Sequence, residues 1–516
     1  MASFTSNTTR TALAGTVATF LLRLISFGCT QISLRWVDPT ILGQASIQLE
    51  LLYSMINFVC REGFRLSLMR PTSDWNVAYL TIPTTACFAV LAGIQHVHYN
   101  AAPENDAFRR AGLMYCCASF IESLAEPLVL HALRQLHVSV KASAEGLATV
   151  TKTITLVILL TRFKSQPQVL AFGCAQIVYA AVYTLYLCYK LAPAVTRPQW
   201  KALDRQTLYM TMVFTIQGFF KHLLTEGDRI TLVALAESYD QGVYAMGSAY
   251  GGLAARVLLQ PIEENARLLW SRQHVVPSQS PQQDELRQSY CFVVKLVLYL
   301  GFIYSTLAVH YTALLLQLVG GARWSDNPQA SSVLSAFCVY TAFLAWNGST
   351  EAFVYGVAEN ASDMGRLGVA HTVVAGVFAL IVPVAVSMYG TIGLVAANCF
   401  SMMLRSLYSL HFATHFFANR WGTETAPWRV AAQLLRGMFP QPAVLLCFLG
   451  CFISTRISRE IFVTGAHAVG SGDWIQLAFN HVAVGVTAGV ITLSMAYFTE
   501  TDLRRSLQRI SRQKQE

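Results

Sequence analysis

The chain has 516 residues, a formal net charge of +9, 54% apolar residues and only 13% charged residues. Soluble globular proteins carry roughly 25% charged residues, so this composition excludes a string of soluble domains. It predicts an all-α protein that crosses a membrane many times. The basic excess is typical of cytoplasmic loops and does not indicate nucleic-acid binding.

Apolar segments long enough to cross a bilayer recur along the whole chain. We predict fourteen transmembrane helices, at residues 11–36, 40–60, 76–95, 111–134, 145–162, 167–190, 207–235, 241–261, 290–318, 329–353, 367–388, 391–416, 430–455 and 475–499. Basic residues are concentrated in the loops on the side that holds both termini, which predicts cytoplasmic termini.

A faint internal repeat divides the chain. Gly43 precedes a helix that ends in Arg61-Glu-Gly-Phe-Arg65, and Gly242 precedes a helix that ends in Glu263-Glu-Asn-Ala-Arg267. Transporters built from repeats bind their substrates between the halves. The repeat therefore predicts two six-helix lobes around a central cavity. The predicted domains are lobes 1–200 and 201–425, with a flexible connector at 268–289, two additional transmembrane helices in 426–499, and a basic cytoplasmic tail, 500–516.

Ionisable residues inside the predicted spans indicate a polar cavity, because a charge facing lipid costs several kcal/mol. All of them except Arg436 fall in the first twelve spans, so the last two spans are expected to pack outside the cavity. Arg23 and Arg256 have no acidic neighbour in the sequence, and an unpaired guanidinium in a wet cavity suits an anionic ligand. Glu122, Glu126 and Glu351 fit equally well a role in pairs that only hold helices together.

Motifs for covalent chemistry or metal binding do not occur. The sequence contains no Walker A loop, H-E-x-x-H or G-x-S-x-G motif, and its histidines match no zinc spacing. We therefore expect no ATP-driven transport by this chain alone. We also predict a protein that is not an enzyme, with no catalytic residues, no metal and no cofactor.

Seven short strings resemble the Rft family, oligosaccharidyl-lipid flippase-like proteins of the MOP exporter superfamily with a MurJ-like fold. The strings are Gln48-Leu-Glu-Leu-Leu52, Arg61-Glu-Gly-Phe-Arg65, Leu224-Thr-Glu-Gly-Asp228, Gln241-Gly-Val-Tyr-Ala245, Tyr250-Gly-Gly-Leu-Ala254, Gln260-Pro-Ile-Glu-Glu264 and Asn347-Gly-Ser-Thr-Glu-Ala-Phe353. The resemblance implies an endoplasmic-reticulum membrane protein of asparagine-linked glycosylation. Its implied substrate is a dolichyl-diphosphate-linked oligosaccharide of the Man5GlcNAc2 type, made on the cytosolic face and needed on the lumenal face.

This resemblance suggests roles for the charged residues in an alternating-access cycle. The cations expected to face the substrate diphosphate in the cavity are Arg23, Arg61, Arg65, Arg256, Lys152 and Lys221. The carboxylates expected to act as gate or coupling groups are Glu62, Glu226, Asp228, Glu263, Glu264 and Glu351. The expected partners are the dolichyl-diphosphate oligosaccharide, membrane lipids and proteins of the glycosylation pathway, with no nucleic acid.

Two other functions fit the same sequence. One is a non-transport accessory protein that binds the lipid-linked oligosaccharide and assists glycosylation. The other is an ion-coupled exporter of small cationic drugs, as in other members of the superfamily. An exporter of cations would prefer a cavity dominated by carboxylates, whereas the predicted spans carry charges of both signs.

Overall fold

The computed structural model describes residue 28 and residues 35–69, 73–135, 138–163, 167–191, 203–274, 284–321, 324, 328–358, 361–421, 426–463 and 472–500. These residues are almost entirely helical and include no β-strand. Most of the first predicted span, 11–36, lies outside them, and so do Arg23 and the tail beyond residue 500.

The described residues up to Gly242 form one compact unit. Its helices are α1 (Pro39–Gly43), α2 (Glu50–Leu68), α3 (Thr81–Tyr99), α4 (Asp106–Ser123), α5 (Glu126–Arg134), α6 (Val138–Arg162), α7 (Gln168–Leu191), α8 (Arg205–Thr225), α9 (Gly227–Leu235) and the start of α10 (Ser238–Ala254). A π-helical turn, Gln44–Leu49, joins α1 to α2, and 3-10 turns precede α3 (Trp75–Leu80) and α4 (Pro103–Asn105).

Two breaks bend the helices of this unit. The pair α4 and α5 bends by 46°, next to Pro127 in the first turn of α5, where a missing N–H is tolerated. Helices α8 and α9 separate at Glu226, which precedes Gly227. Asp204 caps the N-terminus of α8, and its carboxylate accepts hydrogen bonds from the Thr207 hydroxyl and amide. These bonds lower the pKa of the exposed Asp204 carboxyl.

Residues from Val243 onward form a second compact unit. Its helices are the rest of α10, α11 (Gln260–Gln273), α12 (Glu285–Ile303), α13 (Val309–Val319), α14 (Pro328–Val357), α15 (Ala361–Trp421), α16 (Pro427–Met438), α17 (Pro442–Phe462) and α18 (Gly472–Thr499). π-helical turns join α10 to α11 (Ala255–Leu259) and α12 to α13 (Tyr304–Ala308).

Helix α15 contains one interruption. Gly390 has φ 55° and ψ −139°, a conformation that a residue with a Cβ rarely adopts. This glycine lies between the predicted spans 367–388 and 391–416, so the backbone leaves its helical path where the sequence predicts a boundary. Helices α16 and α17 bend by 52° at a second break.

One hydrophobic core of the second unit is rich in aromatic side chains. Four buried aromatic side chains from four helices pack as one group. They are Trp270 of α11, Tyr290 of α12, Phe353 of α14 and Phe417 of α15. At its edge the Asp284 carboxylate accepts hydrogen bonds from Arg420 at 3.1 Å and from the Trp421 indole at 2.9 Å. The core therefore fixes α11 against α14, which positions the polar face described below.

The structure agrees with the predicted spans in position more than in number. Every predicted span after the first lies on helices, although the spans 111–134, 207–235 and 430–455 each contain a break. Among the described residues, however, seven helices are long and apolar enough to cross a membrane, or up to nine if each bent pair counts as one span. Helix α2 is not among these helices because it carries four charged residues, Glu50, Arg61, Glu62 and Arg65. Helix α15 counts once although it contains two predicted spans. The count of fourteen stays a prediction.

The compact units also divide at a different residue from the predicted lobes. Helix α8 packs along α2, and α9 packs against the turn Gln44–Leu49, so the seventh predicted span belongs to the first unit. Helices α11 and α12 extend into the predicted connector 268–289 from both ends, leaving residues 275–283 outside the described part. The lobe boundary near residue 200 stays a prediction.

Candidate functional site

The first unit holds a buried network of charges between α2 and the α4–α5 pair. Arg61 donates to the Glu122 carboxylate at 3.1 Å, and its Nε lies 3.7 Å from Glu126. Arg65 contacts both oxygens of Glu126, at 2.6 and 3.0 Å. The Tyr53 hydroxyl donates to Glu122. Arg61, Glu122 and Glu126 are 5%, 4% and 0% exposed.

This network is electrically balanced. Two guanidinium groups face two carboxylates, and Arg65 binds Glu126 with the two-pronged geometry that an arginine otherwise offers to a phosphate. In this conformation Arg61 and Arg65, which the sequence assigns to the substrate diphosphate, already have acidic partners. Pairing of Glu122 and Glu126 across helices is one of the two roles that the sequence allowed for them.

The other predicted groups of the first unit lie at the edges of this network. Glu62 projects from α2 toward Gly218 of α8. The Lys152 ammonium of α6 lies 4.0 Å from the Glu50 carboxylate and 5.9 Å from the centre of the Tyr179 ring. Lys152 is thus more loosely held than Arg61 or Arg65.

The break between α8 and α9 holds two further predicted carboxylates. Glu226 pairs with Arg229 at 3.0 Å, and Asp228 accepts a hydrogen bond from the Arg229 amide at 2.8 Å. Both contacts are local to the break. Arg23 lies outside the described residues, as do the side chains of Lys221 and Arg256.

The second unit contains a polar cavity of about 450 Å³ between α11, α14 and α15. Three of the six predicted gate or coupling carboxylates, Glu263, Glu264 and Glu351, line it together with two arginines, Arg267 and Arg405. The uncharged lining residues are Ala255, Leu259, Gln260, Leu344, Asn347, Gly348, Ala352, Tyr355 and Met402. The sequence places these groups on separate helices, and the fold brings them together.

Glu351 is the most heavily contacted carboxylate of this cavity. Its oxygens accept hydrogen bonds from Arg405 at 2.9 and 3.2 Å and from the Asn347 amide at 3.2 Å. The His371 ring lies 3.6 Å away. The charge of Glu351 is therefore compensated by Arg405.

Glu263 is held differently. Its carboxylate lies directly against Gly348 of α14, where a Cβ would overlap it. Arg405 pairs with Glu351, so the remaining ionisable side chains among the described lining residues are Glu263, Glu264 and Arg267. Asn347 is 5% exposed, and its Oδ1 has no hydrogen-bond partner among the described residues. The cavity thus presents acceptors that the described groups leave unsatisfied.

The two charged sites occupy corresponding places in the repeat. Each follows a π-helical turn, Gln44–Leu49 before α2 and Ala255–Leu259 before α11. The opposing helices carry Glu122-Ser-Leu-Ala-Glu126 in the first unit and Asn347-Gly-Ser-Thr-Glu351 in the second. Where the first unit has Arg61 and Glu122, the second has Glu263 and Asn347. Sequence reasoning missed Asn347, Gly348 and His371, although the matching spacing of four residues was a readable signal.

A larger cavity of about 820 Å³ lies between α3 and α4 of the first unit. Its walls are mostly apolar, and Val90, Ile94 and Leu113 expose 61%, 64% and 42% of their surface there. It is therefore a poorer place for a polar ligand than the smaller cavity. Among the described residues no group of three or more His, Cys, Asp or Glu side chains has the geometry to hold a metal ion.

Comparison with known proteins gives consistent relatives along almost the whole chain. The family model described as Rft protein matches residues 11–510. The chain is 27% identical to the Man(5)GlcNAc(2)-PP-dolichol translocation protein RFT1 of Mus musculus, over 96% of this chain and 95% of that protein. It is 29% identical to the protein of the same name from Yarrowia lipolytica, over 77% of this chain and 68% of that protein.

Two solved structures share the fold. Lipid II flippase MurJ in an inward closed conformation covers 94% of this chain, with 99% of MurJ aligned, a TM-score of 0.61 and 10% identity. An inward-facing multidrug resistance MATE family transporter of the MOP superfamily covers 78% of this chain, with 96% of that protein aligned, a TM-score of 0.54 and 15% identity. The chain is thus a multi-pass membrane protein with a MurJ-like and MATE-like fold.

Proposed function

We propose that this chain, which belongs to the Rft protein family, translocates Man(5)GlcNAc(2)-PP-dolichol from the cytosolic to the lumenal leaflet of the endoplasmic-reticulum membrane. The observation that carries this proposal is the match to a protein of that name over 96% of the chain. The matched length leaves almost no part of the chain that a different function would have to explain.

The proposed architecture has fourteen transmembrane helices in two six-helix lobes around a central cavity, with two additional helices and both termini in the cytosol. The positions of α2 to α18 over the predicted spans support it, and so does the fold shared with MurJ. In an alternating-access cycle, rocking of the lobes would expose the headgroup first to the cytosol and then to the lumen.

Within this cycle we assign the diphosphate to Arg23 and Arg256, with Lys152 and Lys221 as the further predicted cations. Arg61 and Arg65 join them only when Glu122 and Glu126 release them, because both are paired in the described conformation. Exchange of such ion pairs between protein and substrate is a way to couple headgroup binding to a change of conformation. Glu62, Glu226 and Asp228 remain the proposed gate groups of the first unit.

The test is reconstitution of the purified full-length chain into vesicles with Man(5)GlcNAc(2)-PP-dolichol, scored by movement of the headgroup across the bilayer. We expect movement by the intact chain and a fall of about tenfold or more when Arg23→Ala and Arg256→Ala are combined, since two charge-assisted contacts to phosphate are lost. Arg456→Ala is the matched control, because its side chain is 65% exposed and pairs only with Glu460 of the next helical turn in the described contacts.

The same experiment separates the alternatives. Binding of the lipid-linked oligosaccharide without movement by the intact chain favours the accessory role. Efflux of small cationic drugs that depends on an ion gradient, with no movement of the lipid, favours the drug exporter. Release of free oligosaccharide or phosphate would show an enzyme.

A further inference from the structure

The polar cavity of the second unit has a chemistry that differs from that of its counterpart in the first. In the first unit Arg61 and Arg65 neutralise Glu122 and Glu126. In the second, Glu263 replaces an arginine and Asn347 replaces a glutamate. The result is an open cavity of about 450 Å³, within the range of small-molecule sites. Apart from the Arg405–Glu351 pair, its described lining holds Glu263, Glu264 and Arg267, together with an amide oxygen that has no partner among the described residues.

This cavity is a poor site for a phosphate. Arg405 is already bound to Glu351, and the carboxyl groups of Glu263 and Glu264 are poor partners for an anion. Of the lining cations that the structure describes, this leaves Arg267, which is exposed. The diphosphate of the substrate must therefore be held elsewhere, which agrees with its assignment to other cations.

A neutral, polyhydroxylated ligand matches the lining better. A sugar hydroxyl both donates and accepts hydrogen bonds, so it can meet a carboxylate, an amide and a guanidinium in turn. The Oδ1 atom of Asn347 is buried without a partner among the described residues, a state that costs about 1–3 kcal/mol and that a hydroxyl donor relieves. The Tyr355 ring, 47% exposed at the wall, offers an apolar face to the C–H groups of a pyranose.

Gly348 makes this arrangement possible. A Cβ at that position would overlap the Glu263 carboxylate, so the side chain of Glu263 would have to move. The glycine lies in the middle of a long helix, where it lowers helix stability by about 1 kcal/mol relative to alanine, so the free space beside Glu263 is the feature it supplies.

We infer that the cavity between α11, α14 and α15 is a carbohydrate subsite, in which Glu263, Asn347 and Glu351 bind the hydroxyl groups of neutral sugars. The inference rests on the proposed function for the identity of the glycan as the Man(5)GlcNAc(2) part of the substrate. Different groups thereby bind the two parts of the headgroup: cations bind the diphosphate, and this cavity binds sugar.

The experiment measures binding of two partial ligands to the purified full-length chain. One is the free Man(5)GlcNAc(2) oligosaccharide, without lipid or phosphate, and the other is a short-chain isoprenyl diphosphate without sugar. For Glu263→Gln and Gly348→Ala we expect oligosaccharide affinity to fall about tenfold or more, as for loss of hydrogen bonds to a charged group. Binding of the diphosphate should change less than about twofold.

Two further variants protect the interpretation. Asn347→Leu removes the unsatisfied oxygen at similar volume and should also weaken the oligosaccharide alone. Glu460→Gln, which neutralises an exposed carboxylate of α17, should leave both affinities unchanged. The affinities of a variant are compared only if its elution profile and melting temperature match those of the intact chain. If Gly348→Ala does not fold, Glu263→Gln, the more conservative substitution, carries the test.

Three results would overturn the subsite. They are no oligosaccharide binding by the intact chain, equal binding by the variants, or a loss of diphosphate binding in place of sugar binding. Stabilisation of the intact chain by Na⁺ or K⁺ that disappears in Glu263→Gln, with sugar binding unchanged, would make the cavity a cation site. Failure of translocation in vesicles with oligosaccharide binding intact would instead count against the proposed function alone.

Discussion

At the scale of single residues, burial decides which charges need a partner. Arg61 and Glu126 belong to helices separated by about 60 residues of sequence, yet both are almost completely enclosed. Burying two charges away from water is energetically costly unless the two groups pair with each other. The sequence shows that ionisable groups enter the spans, but their pairing depends on the angle between α2 and α4, which no local pattern encodes.

Loss of Arg61 should therefore destabilise the protein before it affects a ligand. In Arg61→Met, Glu122 keeps the Tyr53 hydroxyl but loses its cation, and we expect the free energy of unfolding to fall by about 3–5 kcal/mol. The measurement is thermal unfolding in detergent by fluorescence-detected size exclusion. Adding Glu122→Gln should recover part of the loss. An Arg61→Met protein of unchanged stability that no longer binds the diphosphate would instead place Arg61 in the substrate site.

At the scale of helices, the Arg61-Glu-Gly-Phe-Arg65 string contributes to three contacts at once. The two arginines face α4 and α5, Phe64 enters a hydrophobic core, and Gly63 lies against α8. A Cβ at Gly63 would overlap the Thr215 hydroxyl and lie 2.7 Å from the Thr215 amide nitrogen. The motif could be read from the sequence, but the helix that its glycine contacts could not, because α8 lies about 150 residues away.

Gly63→Ala should force α2 and α8 apart. Because the obstacle includes backbone atoms, the strain cannot be relieved by turning a side chain, and we expect a loss of about 1–3 kcal/mol of stability. The matched control is Gly218→Ala on α8, whose Cβ would lie 3.2 Å from the tip of the Phe58 ring and 3.7 Å from Glu62 Cγ. The measurement is the melting temperature of each variant, and we expect that of Gly63→Ala to be the lower. Equal melting temperatures would contradict the close packing of α2 against α8.

The last two helices, α17 and α18, make polar contacts with each other and with the rest of the second unit that the sequence did not reveal. Glu500, at the end of α18, accepts from the buried Lys295 ammonium at 2.8 Å and from the Gln441 amide at 2.8 Å. The buried His481 ring pairs with the Ser458 hydroxyl at 2.8 Å. Hydropathy predicts the two additional spans. It cannot predict that Glu500 pairs with Lys295, which lies 205 residues earlier in the sequence.

Glu500→Gln tests the role of this contact. It leaves Lys295 charged and 6% exposed, so we expect the free energy of unfolding to fall by about 3 kcal/mol. Glu460→Gln is the control, since an exposed pair contributes less than about 1 kcal/mol. Equal stability of the two variants, measured by melting temperature and by limited proteolysis, would show that Lys295 has another counter-charge.

At the scale of the whole molecule, the sequence predicted helix positions well and helix partners poorly. Apolar runs and glycine breaks are local, so spans such as 367–388 and 391–416 could be placed on either side of Gly390 from the amino-acid pattern alone. The polar cavity of the second unit depends on three helices meeting, and the repeat of Glu122–Glu126 in Asn347–Glu351 was its one local sign. Orientation in the membrane is a separate property, set by charges in loops.

The loop charges predict that residues 100–105, between α3 and α4, face the lumen, whereas both termini face the cytosol. A glycosylation tag with flexible spacers, inserted after Glu104 in the exposed turn, should receive glycan because it meets the lumenal transferase. The same tag fused after Glu516 should remain unmodified, and so should the natural Asn7 and Asn360 sequons. Mobility on gels before and after endoglycosidase treatment gives the result. Modification of the tag at the carboxyl end alone would invert the topology, and with it the direction of the proposed transport.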